Sequence, residues 1–297
     1  MRRQLYILTF LTFLAATGTA AAQAPIHRGR LIAPDAAVRI FNIAGTVRVT
    51  GWDRDSVDVT AVVPKGAGEF MFGGGSGGVK MGINPPVGEA VYPGSLFEVR
   101  VPTRARVWIK TESAEILVSG LTSSADLSSV SGRIVVTGDV AQLSAESMDG
   151  GIDVYVNASL VRLKSAGGTI VLRGNVTDAS LSTVSGAATA QLAGLDRGRM
   201  ETVGGHLTFE AGLRPGGNYT LESHSGDISI RLPSNFDGAL DLTALEGRVV
   251  NRLTKSPVNP TNQRRGEFLA TSGGKATAEL VGRTFKGTIT LEVQTKP

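Results

Sequence analysis

The stretch SVSGRIVVTG, Ser129–Gly138, decides the fold, because its pattern returns at a fixed interval along most of the chain. Gly132 is preceded five positions earlier by Leu127 and is followed by the apolar residues Ile134 and Val136. The same frame returns at spacings of 18, 18, 18, 19, 21 and 21 residues, with anchors at Gly132, Gly150, Gly168, Gly186, Gly205, Gly226 and Gly247. A fixed period near 20 residues is the signature of stacked repeats.

Each repeat predicts two short strands with turns between them. In Arg133–Gly138, Ile134 and Val136 alternate with Arg133, Val135 and Thr137, and this period of two marks a strand with one buried face. The anchor glycine stands at a turn, where we expect it to supply a positive φ. The predicted fold is all-β: a single-stranded β-solenoid, a β-helix-like stack of about nine to ten rungs of 18–21 residues, with almost no helix after the signal peptide.

The frame extends beyond the seven clear anchors. Gly45 and Ala114 occupy the anchor position in two earlier units, and Gly274 does so in a later one. The segment Thr284–Val293 alternates cleanly and predicts a closing strand, so the repeats cover about residues 36–295. Two Pro-bearing insertions interrupt them, a Gly/Pro-rich one at about 64–94 and another at about 255–265, and both are expected to be exposed loops.

The first 22 residues read as a secretory signal peptide. Arg2 and Arg3 precede the apolar segment Leu5–Ala16, and Ala20–Ala22 offers a small-residue cleavage site. The alternative, an uncleaved anchor, would need about 20 apolar residues to span a bilayer. We therefore expect residues 23–297 to form one exported domain in the periplasm or at the cell surface, with no transmembrane segment after cleavage. The chain has 0 cysteines, so no disulfide framework supports it.

The charge pattern excludes two classes of partner. The formal net charge is only +4, and basic and acidic residues are interspersed without a run of one sign. A nucleic-acid groove or a polybasic membrane patch would concentrate positive charge. We therefore expect neither nucleic acid nor an anionic membrane surface as a partner.

Three short motifs invite a chemical interpretation, and each has a simpler structural one. His224 lies between Ser and Asp residues in Glu222–Asp227, but it occupies a repeat column otherwise filled by apolar residues, whereas His206 should face solvent. Asp149–Asp153 resembles a calcium-binding repeat but occurs once, which favours a turn. The GGGSGG tract, Gly73–Gly78, lacks the Gly-Lys-Ser/Thr and helix of a phosphate-binding loop. We assign no catalytic, cofactor-binding or metal-binding residue and expect no cofactor.

Several segments resemble the bacterial "putative adhesin" family. The resemblance rests on Ala44–Ala61 (AGTVRVTGWDRDSVDVTA), on the Pro-bounded strand Phe97–Pro102 and on the tandem units like Ser129–Gly138. It covers the chain from about Pro34 to Val293. It implies an exported domain of unknown function built from stacked short β-strands, and it supplies no catalytic residues.

The functional prediction follows from this fold and from the absence of a recognisable site. We expect a structural or interaction protein of the bacterial envelope that presents an extended face to a protein or a glycan. An enzyme acting on polysaccharide from a β-helix scaffold is the alternative, and a sensor of envelope state is a third possibility. The oligomeric state is open, because the ends of a strand stack expose edges that must be capped or paired.

Overall fold

The chain is described by a computed structural model that covers residues 24–86, 88, 92–261, 266–271 and 278–294. These residues contain no helix and form one mixed sheet of 23 strands, which confirms the all-β prediction. No helix in this part of the chain is long and apolar enough to cross a bilayer. The predicted signal peptide lies outside the described residues.

The strands, in chain order, are β1 Ile26–Leu31, β2 Ala37–Asn42, β3 Gly45–Trp52, β4 Ser56–Val62, β5 Glu69–Gly75, β6 Gly78–Asn84, β7 Ser95–Pro102, β8 Arg106–Thr111, β9 Glu115–Ser119, β10 Ser124–Ser129, β11 Ile134–Asp139, β12 Gln142–Ser147, β13 Ile152–Ser165, β14 Ile170–Thr183, β15 Ala188–Thr202, β16 Leu207–Ser223, β17 Ile228–Leu232, β18 Gly238–Ala244, β19 Arg248–Asn251, β20 Asn259–Pro260, β21 Glu267–Thr271, β22 Ala278–Thr284 and β23 Thr288–Val293.

Successive repeats pair in parallel and in register, so equivalent residues lie beside each other. Leu163 pairs with Leu181, and Leu181 pairs with Met200, as the frame predicts. All three are buried, because the apolar positions of each strand point to one side of the sheet. We call each pair of successive strands that occupies one step of this stack a level. The core therefore runs through the levels as columns of like side chains.

The anchor glycines are required for a different reason from the one predicted. None of Gly132, Gly150, Gly168 or Gly186 has a positive φ, so the expectation of a left-handed turn is wrong at these positions. A Cβ on Gly150 would instead lie 2.8 Å from the carbonyl carbon of Gly132 and closer still to its oxygen. Glycine is needed because the turns of adjacent levels stack backbone to backbone.

A buried column of hydroxyl residues supports these stacked turns. Ser147 Oγ accepts a hydrogen bond from the Gly150 N–H at 2.9 Å, and Ser165 Oγ accepts one from Gly168 at 2.9 Å. The column continues through the levels at Ser129, Thr183, Thr202, Ser223 and Thr284, all buried. Except at Ser223, whose Oγ has no hydrogen-bond partner among the described residues, these hydroxyls bond to backbone groups that would otherwise be unpaired in the interior.

The C-terminal levels do not follow chain order. The last segment, β22 and β23, pairs with β16 and β17 on one side and with β18 and β19 on the other. Gly287 therefore stacks on Gly226, and Gly247 stacks on Gly287. The predicted closing strand, β23, therefore lies between β17 and β19 and does not end the stack. The level formed by β18 and β19 follows it. Leu269, placed by the frame in one more parallel unit, pairs antiparallel with Leu242, and Gly274 lies outside the described residues.

The N-terminal levels are also out of order, and they include the predicted first loop. Residues 69–84 form a hairpin of β5 and β6 rather than an exposed loop, because Val79, Met81 and Ile83 alternate and are buried. β6 and β7 then pair in parallel with β2 and β3 and make the level that precedes them. Gly74, with a φ of 132°, permits the tight end of the hairpin.

Antiparallel strands cover both ends of the stack. β4 pairs with β7 and β1 pairs with β4 at the N-terminal end. β21 pairs with β18 at the other end, and the two-residue β20, from the predicted second loop, pairs with β21. Such strands occupy the edge hydrogen-bonding groups that a parallel stack would leave open.

The longer repeats place their extra residues at the corner opposite the glycines. Register shifts between β14, β15 and β16 mark this corner. Arg214 lies there, 2.9 Å from Asp196, and its backbone N–H donates to the Tyr219 hydroxyl at 3.0 Å. The Tyr219 hydroxyl in turn donates to the Leu195 carbonyl oxygen. A polar cluster around the buried Tyr219 therefore closes the widened corner.

Candidate functional site

The outward face of four neighbouring strands near the N-terminal end carries the most distinctive group of side chains. In chain order these strands are β2, β6, β8 and β10, and each buries alternate residues such as Val38 and Ile40. The residues between them must point outward. We call the resulting site the outer-face groove and define it by Arg39, Phe41, Lys80, Arg106, Trp108 and Asp126.

An aromatic pair forms the floor of the outer-face groove. The rings of Phe41 and Trp108 lie 5.0 Å apart between centroids at an angle of 66°, an edge-to-face arrangement. Both side chains are half-buried, so part of each ring remains accessible. Gly82 makes this possible, since a Cβ there would lie 2.8 Å from the Phe41 Cβ. Only 2 tryptophans occur in the chain, and one of them is placed here.

Three cations surround the aromatic pair. Arg39 and Lys80 are direct cross-strand partners on β2 and β6, and the Lys80 ammonium lies 4.8 Å from the centre of the Phe41 ring. Arg106 is exposed, and its Nε donates to the Asp35 carbonyl oxygen at 3.1 Å. Within the described residues, no acidic side chain forms an ion pair with Arg39 or Lys80. The charges of Arg39 and Lys80 are therefore not neutralised by an ion pair with a described residue.

Asp126 is the acidic member of the groove. Its Cα pairs with that of Trp108 on the adjacent strand. Burial, and secondarily the Glu146 carboxylate, raises the pKa of Asp126 above its ordinary value. A carboxylate beside an aromatic ring can accept hydrogen bonds from ligand hydroxyl groups.

Two adjoining depressions give the groove its shape. One, of about 520 Å³, lies over Phe41, Arg106, Trp108 and Asp126. The other, of about 770 Å³, continues over Lys80 and the β5–β6 hairpin. Ala37 and Arg39 line both, so the two form one elongated surface. Volumes of this size suit ligand binding.

The histidines singled out from the sequence do not form a catalytic arrangement with their neighbours in Glu222–Asp227. The His224 ring stacks on Phe285 with centroids 5.2 Å apart and planes at 4°. Asp227 Oδ1 accepts a hydrogen bond from the Thr288 N–H at 2.7 Å instead. His206 is exposed, as predicted, and its Nε2 lies 3.1 Å from Ser229 Oγ.

The other two motifs have structural roles. Asp149 lies at the turn between β12 and β13, while Asp153 forms an ion pair with Arg133 at 2.8 Å. Among the described residues, no group of three or more acidic, His or Cys side chains could hold a metal ion. Ser76 and Gly77 form the turn of the β5–β6 hairpin, and a strand follows it.

The repeat column that contains His224 forms an exposed apolar stripe along the glycine corner. Met148, Val184 and Val203 are exposed by 57%, 53% and 52%, and Val130 and Leu245 belong to the same column. Its position was foreseeable, because the column stands two residues before each anchor glycine.

The outer-face groove was missed by sequence reasoning. Trp108, Phe41 and Lys80 belong to segments that are far apart in the chain, and β6 lay within a predicted loop. The available signal was the alternation Val79, Met81, Ile83 after the glycine tract, which marks a strand with one buried face.

Comparison with known proteins supports the resemblance at the level of the fold. No family model and no curated protein matches the chain. A solved structure of a putative adhesin from Parabacteroides distasonis has a TM-score of 0.51 and 12% identity, over 90% of this chain and 97% of that one. A putative adhesin from Bacteroides fragilis has a TM-score of 0.44 and 10% identity, over 91% and 97% of the two chains.

A third solved structure, named a putative lipid binding protein from Parabacteroides distasonis, has a TM-score of 0.41 and 13% identity, over 91% of this chain and 97% of that one. At identities this low the comparisons bear on the fold alone. The predicted resemblance to a bacterial putative adhesin is thus confirmed at the level of the fold. The chain has the fold of the putative adhesin from Parabacteroides distasonis.

Proposed function

We propose that the chain is an exported, adhesin-like interaction protein of the bacterial envelope that binds an extended polymer in its outer-face groove. In this proposal residues 1–22 are removed on export and the rest forms one β-solenoid. The in-register parallel pairing of successive levels supports the solenoid. The fold shared with a structure named a putative adhesin supports the adhesin-like role.

The observation that carries the proposal is the accessible Phe41–Trp108 pair on the floor of an elongated groove. Aromatic rings that stay partly exposed on a folded surface favour contact with a partner that has both apolar and polar faces. Sugar rings have this character. The length of the groove, over two adjoining depressions, favours a polymer over a compact ligand.

A glycan array probed with the purified protein tests the proposal. Trp108→Ala removes the larger ring of the pair and should abolish glycan retention. Tyr155→Ala is the matched control, because Tyr155 is an aromatic residue exposed by 65% on β13, outside the groove. Equal retention by the two variants would refute the assignment of the site.

The alternative is a polysaccharide-acting enzyme. Asp126 and Glu146 are neighbouring carboxylates on β10 and β12, and the raised pKa of Asp126 is a property of general acids. Against it, Glu146 lies 3.6 Å from the Lys164 ammonium, which commits it to an ion pair. New reducing ends that form with the native protein, and not with Asp126→Asn, would favour the enzyme.

A further inference from the structure

We infer that the ligand of the outer-face groove is an acidic polysaccharide, whose sugar rings contact Trp108 and Phe41 and whose carboxylates contact Arg39 and Lys80. This inference rests on the proposed function and adds the chemical class of the ligand. It is carried by the arrangement of charge around the aromatic pair.

The first step is the juxtaposition of two like charges. Arg39 and Lys80 are direct partners on adjacent strands. Like charges placed directly opposite each other in a sheet destabilise it. Neither residue forms an ion pair with a carboxylate in the described part of the chain. An anion bound between the two side chains would relieve this repulsion.

The second step is the contrast with the rest of the surface. Elsewhere, several cations on outward strand positions form an ion pair with an acidic residue one level away. Arg133 lies 2.8 Å from Asp153, Arg197 lies 3.0 Å from Asp178, and Lys164 lies 3.6 Å from Glu146. The stack can therefore hold cross-strand ion pairs, but the two central cations of the groove, Arg39 and Lys80, form none with an acidic residue in the described part of the chain.

The third step is the combination of charge with aromatic rings. An anion alone would need only the cations, and a neutral sugar would need only the rings and a hydrogen-bonding carboxylate such as Asp126. Trp108 lies beside Arg39 on the adjacent strand, and Lys80 lies over Phe41. A ligand that uses both kinds of group carries a negative charge on a ring. A repeating sugar acid meets this requirement along both depressions.

Isothermal titration with three polymers tests the inference. Polygalacturonate has sugar rings and carboxylates, dextran has rings without charge, and poly-L-glutamate has carboxylates without rings. We expect polygalacturonate to bind, and its affinity should fall as salt is added, because exposed charge contacts are screened. Dextran and poly-L-glutamate should each bind at least about tenfold more weakly.

Two double variants test whether the polymer binds the cations of the groove or responds only to the overall positive charge of the protein. Arg39→Gln/Lys80→Gln should weaken polygalacturonate binding by about tenfold or more, since charge-assisted contacts are lost. Arg248→Gln/Lys255→Gln removes the same charge from exposed positions at the far end of the chain and should leave binding unchanged. Equal effects of the two double variants would overturn the inference.

The failures of the inference and of the proposed function are distinguishable. If dextran binds as tightly as polygalacturonate and Trp108→Ala abolishes both, the groove binds glycans but the acidic class is wrong. If poly-L-glutamate binds equally and Trp108→Ala has no effect, the partner is an acidic protein and both proposals are wrong. If none of the three polymers binds, the inference is overturned.

Discussion

Gly150→Ala tests why the repeat needs its glycine. The backbone of Gly150 does not have a positive φ, so alanine would be acceptable there on conformational grounds alone. The added Cβ would lie 2.8 Å from the Gly132 carbonyl carbon and 2.8 Å from Ser147 Oγ. Carbon atoms pack at about 3.5–4.0 Å, so adjacent turns must separate by roughly 1 Å.

The expected cost is that of overpacking against backbone that cannot rotate away. We expect a loss of about 3 kcal/mol in the free energy of unfolding, at the upper end of the usual range. For a domain of this size that loss lowers the melting temperature by about 6–12 °C. Thermal unfolding followed by far-ultraviolet circular dichroism measures it.

Gly151→Ala is the matched control. Gly151 is the next residue in the same turn, and a Cβ there would meet its nearest neighbour, the Thr169 oxygen, at an ordinary 3.6 Å. We expect this variant to melt within about 2 °C of the native protein. If Gly150→Ala and Gly151→Ala have the same melting temperature, stacking of the turns is not the reason that glycine recurs at the anchor position.

Three further predictions follow from buried groups. Ser147→Ala leaves the Gly150 N–H without its 2.9 Å partner and should lower the free energy of unfolding in urea by about 1–2 kcal/mol. Ser147→Thr should lower it less, because a threonine, Thr183, occupies the same column two levels away. Equal losses for the two variants would contradict this role. Ile170→Asp buries a charge at a position that is 0% exposed and should abolish soluble folded protein. Thr169→Asp, at the exposed neighbouring position, should leave the protein folded. Gel filtration measures both outcomes, and a folded Ile170→Asp variant would contradict the predicted core position. Burial raises the pKa of Tyr219 above its ordinary 10.0, so the unfolded chain loses this proton first, and stability falls as pH rises above about 10. Tyr219→Phe should flatten the fall in melting temperature between about pH 9 and about pH 11, and an unchanged slope would contradict this cause.

The periodic part of the fold was predictable because each level repeats the same physical requirements. An apolar residue five positions before the glycine and another two positions after it place like side chains in one column. Leu163, Leu181 and Met200 are register partners for this reason. The frame also identified the solvent-exposed position of His206.

The reason for the glycine was not predictable from one sequence. A glycine required by a positive φ and a glycine required by close backbone contact look the same in a sequence. Only the φ angle and the distance to the next level distinguish them. The hydroxyl column was visible as Ser or Thr three residues before most anchors, but its bonds to the glycine N–H groups required the structure.

The order of the levels at the two ends could not be read from periodicity either. The position five before Gly287 is Gly282 rather than an apolar residue, because Leu242 of the next level fills that space. The frame therefore did not identify β22 as a first strand of a unit. At the other end, the same limitation hid the pairing of Arg39 with Lys80, and with it the groove.

Distances between spin labels along one outward column test the central claim, the in-register stack with its inserted C-terminal level. Ser128, Glu222, Arg283 and Thr243 belong to one column, and the chain has 0 cysteines, so labels attach only where cysteine is introduced. With about 4.8 Å per level, double electron–electron resonance from position 128 should give about 24 Å to position 222, 29 Å to 283 and 34 Å to 243. A label at 243 that lies nearer to 128 than the label at 283 would contradict the account.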